Sequence, residues 1–248
     1  MWNRAELKSD AKLALRGRYW QAFLVSLLAE IVLDLFFLVD IIMQWHLLNS
    51  GNLLRTNPIE IFNQMQIERT VNFLNIFYGI FVGYPIVIGL ARFFLGNRSG
   101  SGDSNDLFAP FFRSYGSRVG AIFVTRLFVF LWSLLLIVPG IIKVLEYSQV
   151  EYLLAENPEM PGSRAREISR ILTDGEKSSI FVLWLSFLGW YALGLICAGV
   201  GDLFVNPYYR ATMAELYVTL RDKAVREGRL DPAELGLPPA EAEPTPAE

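Results

Sequence analysis

The stretch Val138-Pro139-Gly140-Ile141-Ile142-Lys143 decides between two possible folds of the chain. It lies inside a long apolar run, and both proline and glycine interrupt helices. If the run continues as one helix over residues 119–142, the chain forms a bundle with four membrane spans. If the chain turns at Pro139 and Gly140, two antiparallel helices form here and the bundle has six spans.

The positions of the basic residues favour six spans. Cytoplasmic loops of membrane proteins are rich in lysine and arginine. The four-span alternative leaves the basic segment 143–179 outside, whereas the six-span topology leaves only Arg55 and Arg69 there. A second turn, near residues 199–201, completes the six-span pattern. The predicted spans are residues 19–39, 74–95, 119–138, 141–156, 179–197 and 199–219.

The composition agrees with a membrane protein. Of the 248 residues, 53% are hydrophobic, and the mean hydropathy is +0.34. A soluble domain could use this apolar content only by burying long segments on every face. The net charge is −3, but the acidic excess comes largely from the carboxyl-terminal tail, and the segments next to the spans are basic. This balance suits an anionic inner leaflet and argues against a nucleic-acid partner.

Three glycines stand in similar settings along the chain. Gly17, Gly116 and Gly175 each follow a polar, partly amphipathic segment and precede an apolar run. The pattern predicts three units, each with an interfacial helix and a helical hairpin, and chance similarity is the alternative. In this interpretation, each glycine is the hinge at which a helix lying on the membrane turns into one that crosses it.

Residues 1–18 predict an amphipathic helix on the cytoplasmic surface. Asn3 is a suitable N-cap, and basic side chains recur every four residues beside an apolar stripe. Such a helix lies in the headgroup layer, where its basic side chains reach lipid phosphates. The alternative is an orientation signal with a solvated face. The candidate lipid contacts are Arg4, Lys8, Lys12 and Arg16.

Ionisable residues inside the predicted spans are the main candidates for a functional site. A charged side chain is costly in hydrocarbon and usually faces the bundle interior with a partner. The nearly balanced signs predict a buried network that either holds the helices in register or serves as a relay or polar cavity. Besides Pro139 and Gly140, Pro207 is a predicted helix break. The predicted network comprises Glu30, Asp34, Arg126, Lys143 and Glu146.

The sequence contains no catalytic, metal-binding or cofactor-binding motif. Its single cysteine, Cys197, and single histidine, His46, exclude a site built from several thiolates or imidazoles. P-loop, nucleophile-elbow and zinc-protease patterns are absent from the sequence. We therefore predict a protein that is not an enzyme and that uses neither a metal nor a cofactor.

The sequence predicts three regions. Residues 1–18 form the amino-terminal helix, residues 19–220 form the membrane bundle, and residues 221–248 form a cytoplasmic tail. The end of the tail is rich in proline, glutamate and alanine and cannot bury enough apolar area to fold, so disorder is expected. Within the tail, Asp231-Pro232-Ala233-Glu234 predicts one short helical turn.

An ordered series of motifs runs through most of the chain. It includes Leu15-Arg16-Gly17-Arg18-Tyr19-Trp20, residues 138–143, Leu154-Ala155-Glu156-Asn157-Pro158 and Phe187-Leu188-Gly189-Trp190. This series resembles a bacterial integral-membrane family known as domain of unknown function 975. The resemblance implies a multi-span protein of the bacterial inner membrane, with no established activity or ligand. More distantly, the chain is similar to the membrane domain of some glycerophosphodiester phosphodiesterases, whose catalytic domain it lacks.

Together these features predict an all-α bundle of six transmembrane helices in three hairpins, with cytoplasmic interfacial helices. The expected location is the bacterial inner membrane, with both termini in the cytoplasm. The expected role is that of a non-enzymatic accessory or scaffold protein acting through membrane lipids or a membrane-protein partner. The alternative is a small-solute or ion transporter that uses the buried ionisable residues.

Overall fold

The described part of the protein is α-helical. The structure, a computed structural model, describes residues 2–35, 38, 41–42, 45, 58–196, 200–235 and 237. No β-strand occurs among these residues, which confirms the all-α class. The helices are α1 (Arg4–Leu15), α2 (Tyr19–Leu33), α3 (Pro58–Tyr78), α4 (Tyr84–Arg98), α5 (Tyr115–Leu135), α6 (Ile137–Glu146), α7 (Val150–Glu156), α8 (Gly162–Thr173), α9 (Lys177–Ile196) and α10 (Val200–Arg226).

Two of the three predicted glycine hinges have the backbone conformation of a turn. Gly17, between α1 and α2, and Gly175, between α8 and α9, have φ angles of 79° and 73°, which glycine adopts without a steric penalty. Gly116 instead lies inside α5, so the hinge predicted there is wrong. At this junction the left-handed residue is Ser114 (φ 51°), whose hydroxyl donates to a Glu159 carboxylate oxygen at 2.7 Å.

Helices α5 and α6 form a close hairpin that turns at Leu136. This residue is extended (φ −162°, ψ 150°) and precedes the predicted break at Pro139 and Gly140 by three residues, which corrects the position of the turn. Proline is tolerated in the first turn of α6 because an N–H there has no intrahelical acceptor. Gly140 allows the close approach of the two helices, since a Cβ atom there would lie 2.4 Å from Ser133 Oγ on α5.

The fourth apolar segment is broken in its middle. Helix α6 ends at Glu146 and α7 begins at Val150, so residues 147–149 form a turn. Buried Ser169 on α8 bridges this turn: its hydroxyl donates to the Glu146 carbonyl at 2.6 Å and accepts from the Gln149 N–H at 3.3 Å. These bonds satisfy two backbone groups that the interruption leaves free.

The last helix is continuous through its proline. Pro207 lies inside α10, so the break predicted at this residue is absent. The start of α10 agrees with the turn predicted near residues 199–201. Across the hairpin, Gly194 and Gly201 are in close contact, because a Cβ atom on Gly201 would lie 2.6 Å from the Cα atom of Gly194.

The three predicted units pack as a closed ring. Unit 1 contains α1, α2 and α4, unit 2 contains two 3₁₀ turns (Ser104–Leu107 and Ala109–Phe111) with α5 to α7, and unit 3 contains α8 to α10. The last segment of each unit, here called the return helix, is α4, α6–α7 or α10. The first element of each unit packs against the return helix of the preceding unit: the 3₁₀ turns on α4, α8 on α7, and α1 on α10. This cyclic packing supports the interpretation of three related units.

Two helical stretches among the described residues are long and apolar enough to cross a membrane, Met65–Arg98 and Tyr115–Leu135. Tyr19–Leu33 is apolar but shorter. The tip of the α5–α6 hairpin is apolar as well, and the side chains of residues 134–138 are between 65% and 78% exposed. A contiguous apolar surface of this kind is unfavourable in water.

Order continues past the predicted start of the tail. Helix α10 extends to Arg226, and a 3₁₀ turn at Pro232–Leu235 lies where the sequence predicts one helical turn. Leu230 and Leu235 are buried, so this segment packs on the bundle. Residues 238–248, like Cys197, His46 and the end of the first predicted span, lie outside the described residues.

Candidate functional site: a cationic cavity at a helix break

A cavity of about 270 Å³ lies beside the turn that separates α6 from α7. Its walls come from α4, α5, α9 and α10, from residues 147–149 and from the start of α7. Apolar side chains, among them Val87, Ile122 and Met213, form part of the wall, and the cavity is partly open. The few polar groups in it therefore project into otherwise apolar surroundings, as is usual for a binding site.

Two arginines and one glutamate carry the charge of the cavity. Arg126 lies near the middle of α5, Arg210 lies on α10, and Glu151 lies on α7. A guanidinium nitrogen of Arg210 is 3.9 Å from a carboxylate oxygen of Glu151, which is too far for a hydrogen bond. Two cations and one carboxylate leave the cavity with a net charge of +1.

The guanidinium groups in the cavity are poorly satisfied. Arg126 makes no hydrogen bond and no ion pair with any described residue, and Arg210 has only its long contact with Glu151. Each guanidinium carries five N–H donors. Leaving such donors without acceptors costs free energy in apolar surroundings unless water or a ligand bonds to them.

Uncharged polar groups at the cavity also lack partners within the described residues. Gln149 is only 2% exposed, and its side-chain oxygen has no donor, although its amide nitrogen donates to Ser148 at 2.8 Å. The indole N–H of Trp184 is buried without an acceptor. Donors thus outnumber acceptors around the cavity, which favours an anionic ligand because hydrogen bonds to ionised groups are the stronger ones.

The five residues of the predicted ionisable network do not lie together in the structure. Lys143 and Glu146 are together in a cluster that links α6, α8 and α9. The Glu146 carboxylate is 6% exposed and contacts Lys143 at 2.8 Å, Arg170 at 3.0 Å and Lys177 at 3.4 Å. Arg126 lies in the cavity instead. The Glu146 cluster has the arrangement expected of pairing that holds helices in register.

The other two members of the predicted network, Glu30 and Asp34, have different surroundings. Glu30 accepts a hydrogen bond from the Asn206 side chain on α10 at 3.1 Å, and Asn206 accepts one from the Tyr191 hydroxyl at 2.9 Å. Asp34 follows α2, is exposed, and makes no side-chain hydrogen bond with a described residue. Only Glu30 of this pair is therefore tied to another helix by a side-chain bond.

Helix α1 packs on protein through its apolar side. The side chain of Asn3 accepts from the Ala5 N–H at 2.9 Å, as predicted for an N-cap. Leu7, Ala11 and Leu15 are buried where α1 meets α10 and α4. The helix is therefore docked on the bundle, whatever its contacts with lipid.

Two of the four candidate lipid contacts on α1 lie against aromatic rings. Lys8 Nζ is 4.5 Å from the centre of the Phe187 ring, and Lys12 Nζ is 5.7 Å from that of Tyr208. Such contacts attract a cation to the face of the ring. Partial burial, together with the charges of Arg4 and Lys12, lowers the pKa of the Lys8 ammonium group. The remaining two candidates, Arg4 and Arg16, are exposed.

Ion pairs connect the units at the end of the bundle that carries α1, α8 and the carboxyl end of α10. We call this set of contacts the ion-pair layer. Besides the Glu146 cluster, it contains Arg92–Asp106 (2.8 Å), Arg98–Glu215 (2.7 Å), Lys223–Glu176 (2.6 Å), Arg164–Glu234 and Arg221–Glu156.

The pair formed by Arg164 and Glu234 fastens the carboxyl-terminal 3₁₀ turn to α8. Their side chains are joined by two hydrogen bonds, one of them 2.7 Å long. These bonds lower the pKa of the Glu234 carboxyl group and, together with bonds to Glu167, raise the pKa of Arg164. Both groups are partly exposed, which limits the stability that the pair contributes.

Arg118 is an exception within this layer. It is 2% exposed, its Nε atom has no acceptor in the described part of the chain, and it does not line the cavity that contains Arg126. Arg118 is therefore a buried cation that does not belong to the cavity.

Three polar residues of the cavity are not among the predicted site residues. Arg210 lies close enough to the end of its predicted span to be interpreted as reaching the interface. Glu151 stands at the end of a segment too short for a regular span. Gln149 is uncharged, and nothing in the sequence distinguishes it. The sequence feature that could have predicted the contact between Glu151 and Arg210 is their opposite charge on two different predicted spans.

No group of three or more histidine, cysteine, aspartate or glutamate side chains with the arrangement of a metal site occurs within the described ranges. The carboxylates of the ion-pair layer are bonded to basic side chains, so they have little capacity left for a cation. The cavity, with its excess of donors, remains the best-defined candidate site.

Residues 103–224 match the model of the family described as Protein of unknown function (DUF975). This match confirms the resemblance drawn from the motifs, and these residues, which include units 2 and 3 almost completely, are a domain of that family. The cavity residues Arg126, Gln149, Glu151 and Arg210 all fall within the matched region. No curated protein and no solved structure matches the chain.

Proposed function

We propose that the protein is a six-span protein of the bacterial inner membrane that acts by binding, as a non-enzymatic accessory protein whose ligands are membrane lipids. The observation that carries this proposal is the partly open cavity in which Arg126 and Arg210 lack hydrogen-bond partners within the described residues. Exposed apolar side chains surround Arg126 on α5. A partly open cationic cavity beside an exposed apolar helix face suits a ligand taken from the membrane.

Contacts among the basic connections support the proposed topology. Arg18, after α1, donates to the carbonyl of Gly102 at 2.7 Å, which brings the first and second basic segments together. Arg229, after α10, donates to the carbonyl of Ile171 on α8 at 2.8 Å. The basic segments thus gather at one end of the bundle, as expected if they all lie in the cytoplasm.

Cysteine labelling tests the topology. In a Cys197→Ala background, Ser163→Cys places a thiol on the exposed side of α8, and Thr70→Cys places one on α3. A membrane-impermeant maleimide applied to intact cells should label the Thr70→Cys protein only. The four-span alternative places both residues outside, so labelling of the Ser163→Cys protein in intact cells would exclude six spans.

Purification in mild detergent tests the binding role. We expect a stoichiometric lipid, or a membrane protein held through lipid, to remain with the chain through size-exclusion chromatography. Intact-mass measurement of the purified complex identifies either. Repeated recovery of the chain free of both would count decisively against an accessory role.

The transporter alternative is favoured by one observation, the position of the cavity at an interrupted helix. In transporters, discontinuous helices form substrate sites near the membrane midplane. This alternative predicts that Glu146→Gln or Asp34→Asn impairs solute flux into proteoliposomes while leaving expression normal. Absence of flux under every gradient tested would remove the support for transport and leave the accessory role.

A further inference from the structure

We propose that the cavity binds the singly charged phosphodiester group of a membrane lipid, with Arg126 and Arg210 as its ligands. The proposal rests on the proposed function, because it names the ligand of the same cavity. It concerns a site in the interior of the bundle and is independent of any contact that α1 makes with headgroups at the surface.

The charge of the cavity determines the charge of the ligand. Glu151 supplies the one carboxylate that lines the cavity beside Arg126 and Arg210, and Arg210 also interacts electrostatically with Glu30 outside it. The net charge of +1 is neutralised by one monoanion. A phosphodiester carries one negative charge, whereas a phosphomonoester dianion would leave the cavity negative. In low-dielectric surroundings, a neutral occupied site is strongly favoured over a charged one.

The donors in the cavity match the acceptors of a phosphate. A planar guanidinium can donate two parallel hydrogen bonds to the oxygens of one phosphate group. Arg126 and Arg210 have all their donors free of hydrogen bonds to described residues, and the buried Trp184 indole N–H is a further donor at the wall. The unpartnered Gln149 oxygen is an acceptor for a hydroxyl group on the headgroup.

The depth of the cavity distinguishes it from a surface patch. Arg126 lies eleven residues after Tyr115, the first residue of α5, and Arg210 lies eleven residues before Arg221 in the ion-pair layer. At 1.5 Å per helical residue, each guanidinium is attached about 16 Å from that end of the bundle. Arginines at this depth are costly without a counter-ion, and a surface role does not account for them.

The opening of the cavity fits a ligand with an apolar tail. Arg126 is exposed, and the side chains one turn before and after it on the same face, Phe123 and Phe130, are 41% and 58% exposed. The surface of α5 on either side of Arg126 is therefore apolar. A lipid can place its phosphate between Arg126 and Arg210 while its acyl chains stay in the bilayer, whereas a free phosphate would cross this apolar surface.

Native mass spectrometry with defined lipids tests the proposal. The probes are phosphatidylglycerol, a monoanionic phosphodiester, phosphatidylcholine, whose phosphodiester is neutralised by its own amine, and inorganic phosphate. We expect phosphatidylglycerol to bind most tightly, and we expect inorganic phosphate not to displace it. Arg126→Gln and Arg210→Gln should each weaken its binding about tenfold or more, as expected from the loss of charge-assisted hydrogen bonds.

Glu151→Gln tests whether removing a negative charge from the cavity strengthens lipid binding, as the proposal requires. Removing this carboxylate raises the net charge of the cavity to +2, so it should tighten the binding of phosphatidylglycerol, an effect that a poorly folded variant would not produce. Arg113→Gln is the matched control for the two arginine variants. It replaces an arginine by glutamine at a side chain that is 77% exposed, and binding should be unchanged. Weaker binding by the Glu151→Gln protein than by the unaltered protein would overturn the proposal.

Other outcomes show whether the bound anion is a lipid or free phosphate. They also distinguish failure of the lipid proposal from failure of the proposed function. Displacement of lipid by inorganic phosphate would assign the cavity to a free anion and overturn the lipid proposal. Equal binding of both lipids, unaffected by Arg126→Gln, would also overturn it. A lipid-binding role would then lose the support of the cavity and rest on the topology labelling and the copurified lipid, two measurements that do not involve the two arginines.

Discussion

The ion-pair layer and the cavity differ in how their charged side chains are paired. In the ion-pair layer, Glu146 alone contacts three basic side chains, at 2.8, 3.0 and 3.4 Å. In the cavity, two arginines share one carboxylate, and the only contact within ion-pair range is 3.9 Å long. Helices α4, α6, α7, α9 and α10 supply side chains to both regions, whereas α5 contributes only to the cavity and α8 only to the layer. The basic side chains of the layer are paired within the protein, whereas Arg126 and Arg210 in the cavity keep donors to which a ligand could bind, as proposed above.

The largest effect is expected in the layer itself, on replacing Glu146 by glutamine. Lys143, Arg170 and Lys177 would then lack their common anion, and breaking a buried ion pair from one side costs roughly 3–5 kcal/mol. Unfolding in detergent, monitored by differential scanning fluorimetry, should show a large fall in melting temperature.

Glu167→Gln is the matched control for this prediction. Glu167 is also paired with an arginine, Arg164 at 2.7 Å, but it is 58% exposed. Its replacement should change the stability by less than about 1 kcal/mol. If both variants were equally stable, the ion pairs of Glu146 would not stabilise the fold. The layer would then not differ from the cavity in this respect. Normal expression with lost flux would instead favour the transporter alternative.

The next effect concerns the helix break that separates the two regions. Ser169→Ala removes the hydroxyl that bonds to the Glu146 carbonyl and the Gln149 N–H, and Ser169 is fully buried. Unsatisfied buried backbone groups cost about 1–3 kcal/mol, so the variant should unfold at lower temperature. Exposed Ser163 on the same helix provides the control, and Ser163→Ala should be neutral. Equal stabilities of the two variants would show that the bridge does not hold the break.

A smaller effect of opposite sign is expected in the cavity. Arg126→Leu removes a cation that has no partner within the described residues and adds apolar surface next to Phe123 and Phe130. The lipid-free protein should therefore keep its stability or gain about 1 kcal/mol, because a side chain that serves binding is often not the most stable choice. Chemical unfolding of delipidated protein measures this, and a loss comparable to that of Glu146→Gln would place Arg126 among the structural charges.

The smallest effect is a dependence on pH at the edge of the layer. The pKa of Glu234 is lowered in the folded state by its bonds to Arg164. A carboxyl group of this kind contributes stability above its unfolded pKa of about 4.3, and the contribution is lost as the pH falls through the lower folded value. The protection factors of the amides in residues 229–235, which correct for the intrinsic pH dependence of hydrogen exchange, should therefore be high at neutral pH and lower under acidic conditions.

Glu234→Gln is the control for the pH effect. This variant lacks the titrating carboxylate, so protection of residues 229–235 should be lower at neutral pH and no longer change with acidification through this group. Equal acid sensitivity in the variant and the unaltered protein would assign the effect to another carboxylate of the layer.

The local features that sequence reasoning identifies correctly depend on single residues. Asn3 caps α1, and Gly17 and Gly175 adopt positive φ angles, because these conformations are governed by the residue itself. The break at residues 147–149 contains neither proline nor glycine and is bridged by Ser169, twenty residues further on. A break that depends on a distant partner has no local signal.

The candidate site could be predicted only in part for a similar reason. Arg126 and Glu146 attract attention equally, as ionisable residues in apolar segments. Their roles differ because α8 and α9 bring Arg170 and Lys177 to Glu146, while no described residue pairs with Arg126. That difference depends on how the units pack, which the spacing of residues along one helix does not specify.

The closed ring of units has a consequence for how the chain assembles. Helix α1 is made first, yet the return helix that covers Leu7, Ala11 and Leu15 is α10, which is made last. Helix α4 can cover part of the apolar side of α1 early, but the part that packs on α10 stays uncovered until α10 has been synthesised. A chain truncated after α9 would display that uncovered helix, a feature by which a membrane protease or chaperone can distinguish unfinished molecules from finished ones.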